Sequence, residues 1–122
     1  MHNQKNTFFS KEVYDNEIEL DLNEDVLERI YNDGVTSSDE LPIEFVFITD
    51  TEQKANQLKL MLSSTYPMYN DLRIDETEDY WEVHGITNAI KMEIDKINEW
   101  NQAMWDIGYK YDCQLDGWQV GC

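Results

Sequence analysis

The sequence predicts an α+β fold in which two helices cover one face of a four-stranded antiparallel sheet, with a further helix ahead of them. Strand-like and helix-like segments follow each other in the order β-α-β-β-α-β after that first helix. The strand at 43–48 is almost continuously apolar, which is typical of a central strand. The 122-residue chain, 41% of it apolar, is long enough to bury one core.

The N-terminal region divides into an arm and the start of the domain. Residues 1–21 are polar and acidic, and we expect a partly ordered arm in which the alternating segment 17–21 could form a short edge strand. The first helix follows, with Asn23 as its N-cap and Asp33-Gly34 at its end. The domain is therefore predicted to span residues 22–122.

The middle of the chain supplies a strand, a helix and a hairpin. A loop at 35–42 leads into the central strand. Thr49 and Glu52 have the spacing of a capping box, so they are predicted to start the next helix. Strands at 68–74 and 80–86 then flank the acidic turn 75–79 and are predicted to pair.

The last helix has the clearest apolar period, with isoleucines recurring every three or four residues. Thr87 or Asn88 is expected to cap it, and Gly108 to follow its last turn. Trp100 and Trp105 are five residues apart and cannot both face the same way on an ideal helix. One of them is therefore expected to be exposed or to lie at a rim.

A final strand at 109–115 completes the order, and Asp116-Gly117 is a turn signal. Two helices on one face of such a sheet make the ferredoxin-like βαββαβ sandwich, in which the first and third strands are central. The polar residues of the strand at 68–74 agree with its place at an edge.

Charge limits the classes of partner. The formal net charge is −17, from 26 acidic against nine basic residues, so direct binding to nucleic acid is disfavoured. The expected partner is cationic, either a basic protein segment or a protein that itself binds nucleic acid. No stretch has the roughly 20 apolar residues of a membrane span, and the first ten residues lack the apolar core of a signal peptide. These features predict a cytoplasmic protein.

Residues capable of chemistry are few. Glu82 and His84 share one face of a strand and could form an acid–base pair, but no nucleophile motif or glycine-rich phosphate loop accompanies them. Cys113 and Cys122 form no zinc motif and are expected as reduced thiols, with a disulfide between them as the alternative. The sequence therefore predicts no catalytic residue, no cofactor and no metal site.

Two groups of residues are candidates for partner binding. The acidic turn could hold an arginine-rich segment, and the tail could present an aromatic anchor. Trp118 could instead close the core, with Gly117 in a positive-φ turn and Asp116 accepting from backbone N–H groups. The candidates are Asp75, Glu76, Glu78, Asp79, Trp105, Asp116, Gly117 and Trp118.

Three segments of the chain resemble a known family. They are NDG at 32–34, LPIEFVFITD at 41–50, and YKYDCQLDGW at 109–118. Together with the long last helix they resemble RraB, the regulator of ribonuclease E activity, over roughly residues 22–122. The family pattern usually runs Tyr-Asp-Gly-Trp, and Leu115 stands here where the Tyr would be.

The resemblance implies a small acidic protein with a ferredoxin-like fold and no enzymatic activity. It would bind the non-catalytic scaffold region of ribonuclease E and dampen RNA turnover. Composition alone leaves two alternatives open. One is an inhibitor of another cationic protein, such as an immunity protein against a nuclease toxin. The other is a small enzyme or ligand-binding domain, since this fold hosts many functions.

Overall fold

The computed structural model describes residues 6–18 and 20–120, which form four helices and six strands. The helices are α1 (Lys11–Asn16), α2 (Asp21–Asn32), α3 (Glu52–Thr65) and α4 (Ile94–Lys110). The strands are β1 (Glu40–Leu41), β2 (Ile43–Thr49), β3 (Asn70–Glu76), β4 (Trp81–Ile86), β5 (Ile90–Lys91) and β6 (Gln114–Val120). No helix within this described part is long and apolar enough to cross a membrane.

The four longer strands form one antiparallel sheet in the order β3-β4-β2-β6. The strands β2 and β4, which are the first and third of the βαββαβ unit, are therefore central. Helices α3 and α4 pack against the sheet. The predicted ferredoxin-like α+β fold with an additional N-terminal helix is confirmed.

The core lies between the sheet and its helices. Alternate residues of β2 point into it, and Glu44 between them is exposed. Side chains of α3 and α4 meet these strand residues and exclude water. Among the fully buried apolar residues are Ile43, Phe47, Leu58, Leu62, Val83, Ile97 and Met104.

The N-caps predicted for the first two helices, Asn23 and Thr49, differ from the structure. Helix α3 begins at Glu52, with Thr51 as its N-cap accepting from the N–H of Lys54. Thr49 instead ends β2, where it is fully buried. Asn23 lies inside α2 and is 2% exposed, because tertiary hydrogen bonds take its side chain into the interior.

The edge strand expected at 17–21 is not present in the described part of that segment. Glu17 and Ile18 form no strand, and α2 already begins at Asp21. Glu19 lies outside the described residues.

A small second sheet changes both the loop at 35–42 and the start of the last helix. Strand β1 pairs with β5, so that Glu40 opposes Lys91 and Leu41 opposes Ile90. Ile90 fits the apolar period of the last helix but belongs to β5. Helix α4 therefore begins at Ile94 and not at 87 or 88. The predicted cap was wrong because local period does not reveal a long-range strand pairing.

The hairpin of β3 and β4 is present, shifted by up to two residues from the predicted strand bounds. Asp75 and Glu76 belong to β3, and the turn itself is closed by three hydrogen bonds between Thr77 and Tyr80. The acidic residues predicted in the turn therefore occupy both the strand end and the turn.

The C-terminal part differs most from the prediction. Gly108 lies inside α4, where it is buried under the carbonyl of Cys113, so it does not follow the helix. The predicted strand at 109–115 is instead 114–120, because α4 runs on to Lys110. The Asp116-Gly117 pair forms a bulge in β6 and not a turn: Val46 opposes Gly117, while the next residue of β2 already opposes Leu115.

Candidate protein-binding surfaces

A cleft of about 240 Å³ opens between α2, α4 and β6. Leu22 and Val26 of α2 form one wall, and the segment 115–118 of β6 forms the other. Asn101 and Trp105 of α4 also line it. Sequence-distant elements thus bring four of the candidate residues, Trp105 and Asp116 to Trp118, around one opening.

The two tryptophans of α4 are both buried, so the expectation that one lies at a rim was wrong. Trp100 is 7% and Trp105 is 5% exposed. The N-terminal arm covers the second of them: the ring of Phe9 lies edge-on to Trp105 at 4.8 Å, and the indole N–H donates to the carbonyl of Tyr14 at 2.9 Å. The arm therefore covers α4 at Trp105.

Trp118 has an intermediate position. It is half-buried in β6 opposite Phe45, and its ring meets Trp100 edge-on at 5.8 Å. The ring therefore belongs to the core on one side and borders the cleft on the other. Gly117 does not have a positive φ, and the Asp116 side chain makes no hydrogen bond to the described residues, so the turn geometry considered for them is wrong.

Three asparagines form a polar network beside the cleft. The Asn23 amide donates to the side-chain oxygens of Asn98 at 2.9 Å and Asn101 at 3.1 Å. No hydrogen bond within the described residues uses Asn23 Oδ1 or Asn101 Nδ2, and because no buried side-chain atom there lacks a partner, both atoms are open to solvent. Both residues line the cleft. The sequence contained a weak indication of this network, since Asn101 falls on the apolar stripe of its helix and a polar residue there needs a buried partner.

The acidic candidates lie elsewhere. Asp75, Glu76, Glu78 and Asp79 are all exposed around the β3–β4 turn. Strands β3 and β6 are opposite edges of the sheet, so three strand spacings, about 14 Å, separate this turn from β6. The structure therefore presents the candidates as two separate surfaces.

The face of the sheet away from α3 and α4 carries a charged network. His84 Nε2 lies 2.9 Å from Glu82 Oε1 and 3.5 Å from Asp75 Oδ2. These three are the group in the described part whose ligand atoms lie close enough to hold a metal ion. Arg73 Nε is also 3.5 Å from Asp75, so a protein cation already balances this carboxylate.

A buried carboxylate ties the arm to the core, and sequence reasoning did not find it. Asp112, 1% exposed, accepts from the backbone N–H groups of Thr7, Phe8 and Phe9, and Lys54 Nζ lies 2.6 Å away. Burial raises the pKa of the Asp112 carboxyl, but the hydrogen bonds from Lys54 and these N–H groups outweigh it, and the pKa lies below its usual value.

The thiol of Cys113 lies next to this anchor. It is fully buried, and burial raises its pKa to about 12. The alternative of a disulfide with Cys122 concerns a residue outside the described part of the chain.

The chain matches a protein-family model over most of its length. The model described as regulator of ribonuclease activity B, RraB, matches residues 20–120, which is most of the chain. The resemblance drawn from the segments at 32–34, 41–50 and 109–118 is thereby confirmed. A comparison with curated proteins finds no match.

Proposed function

Because this chain belongs to the RraB family of non-enzymatic regulators of ribonuclease activity, we propose that it binds a ribonuclease of the RNase E type. It contacts the basic scaffold region of that enzyme and reduces RNA turnover by occupying it. The chain acts in the cytoplasm, where such a partner works. No bond is made or broken by the regulator itself.

The observation that supports an acidic contact is the charge of −17 in 122 residues. Four of these acids crowd the β3–β4 turn, exposed and close to each other in sequence: Asp75, Glu76, Glu78 and Asp79. Such a surface attracts a basic segment over distances comparable to the Debye length, about 10 Å at 0.1 M salt. Complementary charge accelerates association and disfavours partners of like charge.

The test is a cleavage assay with the purified ribonuclease, prepared with and without its scaffold region. The regulator should slow RNA cleavage by the longer form and leave the catalytic part alone unaffected. The affinity should fall as salt is raised from 50 to 500 mM, because screening weakens exposed charge pairs. Equal inhibition of both forms, or affinity independent of salt, would contradict the proposal.

A charge-matched pair of variants separates the turn from the overall charge. Glu78→Gln with Asp79→Asn removes two charges from the turn. Glu12→Gln with Glu52→Gln removes two exposed charges from α1 and α3. The first variant should associate several times more slowly with the scaffold region than the second. Equal rates would show that the turn is not the contact.

The alternative of an immunity protein makes a different prediction in the same design. Such a protein would inhibit a nuclease toxin through its catalytic part and would be indifferent to the scaffold region. Inhibition that persists without the scaffold would therefore favour that class.

A further inference from the structure

We propose that the cleft between α2, α4 and β6 binds one large apolar side chain from a basic segment of the partner. The inference rests on the proposed function and adds the place and chemistry of the anchor. The acidic turn would attract the segment, and the cleft would hold it.

The cleft has the size and the walls for such a side chain. A volume of about 240 Å³ exceeds the roughly 150 Å³ that suffices for a benzene ring in an apolar protein cavity. Leu22 is 51% exposed on one wall, and the half-buried ring of Trp118 stands on the other. Inserting an apolar group here removes both apolar surfaces from water.

The charges around the cleft select a cationic segment. Glu17 borders the opening near α2, and exposed Asp116 stands on β6. Among the residues that the structure describes, no lysine or arginine lines the cleft. Basic residues on either side of the anchor would therefore meet a carboxylate on each side and no opposing cation.

The cleft also offers hydrogen bonds to an extended chain. Asn23 Oδ1 can accept and Asn101 Nδ2 can donate, and neither has a partner among the described residues. A peptide group carries one donor and one acceptor, so one peptide unit beside the anchor matches the pair. The bulge at Asp116 is the kind of strand irregularity that occurs next to functional sites.

The test uses two synthetic peptides of Arg and Gly, one with a central Leu and one with Ser in its place. Titration of the full chain followed by NMR should shift the Trp118 indole and the Asn23 and Asn101 side-chain amides. The Leu peptide should bind about tenfold more tightly than the Ser peptide, because burial of the Leu side chain distinguishes them.

A matched pair of variants tests the location. Leu22→Gln removes one wall of the cleft, and Leu60→Gln changes a leucine of α3 that is 69% exposed and lies elsewhere. Leu22→Gln should abolish the preference for Leu over Ser, and Leu60→Gln should retain it. Shifts confined to the β3–β4 turn, or equal affinity of both peptides, would overturn the inference. So would cleft shifts on concentrating the protein alone, since a second copy would then be the occupant.

Measuring the scaffold region with the same variants distinguishes this inference from the proposed function. Scaffold binding that is unchanged by Leu22→Gln refutes the cleft and leaves the ribonuclease assignment intact. Peptide binding in the cleft without any scaffold binding refutes the assignment and leaves the cleft.

Discussion

The carboxylate of Asp112 accepts a hydrogen bond from the backbone N–H of Phe9 at 2.6 Å, across 103 residues of sequence. With the neighbouring N–H groups and Lys54, it fixes the arm against the end of α4 and the start of α3. The arm in turn buries Trp105. The anchor therefore holds in place the segment that covers Trp105.

Replacing the anchor should destabilise the protein. Asp112→Asn keeps a residue that tolerates the positive φ of 56°, but it removes the buried charged acceptor of the arm N–H groups and leaves Asp50 as the ion-pair partner of Lys54. We expect a loss of about 3 kcal/mol in the free energy of unfolding by urea denaturation. Asp50→Asn, at the more exposed partner of the same lysine, should cost less than about 1 kcal/mol. Equal losses would contradict the role of the buried carboxylate.

The Asp112 carboxyl should also make the stability of the protein depend on pH in the acidic range. The pKa of Asp112 is lowered in the folded state, so its contribution is fully present above the unfolded pKa of about 3.9. It is lost as pH falls through the lower folded pKa. Urea midpoints measured between pH 5 and pH 2 should fall less steeply for Asp112→Asn than for the original chain. If the urea midpoints of the two proteins fell in parallel with pH, the Asp112 carboxylate would not be a source of the loss of stability in acid.

The arm should contribute to the stability of the core. Phe9 is fully buried and contacts Trp105 and Tyr109. Phe9→Ala should therefore lower the free energy of unfolding by about 3–5 kcal/mol. Its neighbour Phe8 is only half-buried, and Phe8→Ala should cost less than half as much. Thermal unfolding monitored by tryptophan fluorescence measures both. Similar small effects would show that the arm is dispensable.

Gly108 and Gly117 should respond to substitution by Ala in opposite ways. Ala is normally favoured over Gly in a helix, but a methyl group at Gly108 would overlap the carbonyl oxygen of Cys113. We expect Gly108→Ala to lower the free energy of unfolding by about 3 kcal/mol, as measured by urea denaturation. A methyl group at Gly117 meets nothing within 4 Å, and Gly117→Ala should change stability by less than about 0.5 kcal/mol. The reverse order would refute the placement of Gly108 inside α4.

The buried thiol should be inert. Because the pKa of Cys113 is raised to about 12, its thiolate fraction at neutral pH is roughly a thousandfold below that of a free cysteine. In the variant Cys122→Ser, alkylation should proceed only at the rate of unfolding and become rapid in urea. Fast alkylation in buffer would show that the site opens locally.

The elements that the sequence predicted well are those with strong local signals. The apolar run at 43–48 and the Asp-Gly stop at 33–34 lie where they were expected. The candidate surfaces were less accessible to such reasoning. The acidic turn could be found because its four acidic residues lie within five positions of the sequence. The asparagine network joins α2 to α4, so its residues are far apart in the sequence and form no recognisable motif.

The sequence by itself determined the order of the main elements, α2 followed by the βαββαβ unit, together with the excess of negative charge and the family, because these depend on local period, composition and short motifs. The tertiary structure alone decided that Thr49 ends a strand, that Gly108 lies inside a helix and that Trp105 is covered. Each of these depends on a contact with a distant segment, and the free energy of such a contact exceeds the local preference that opposes it.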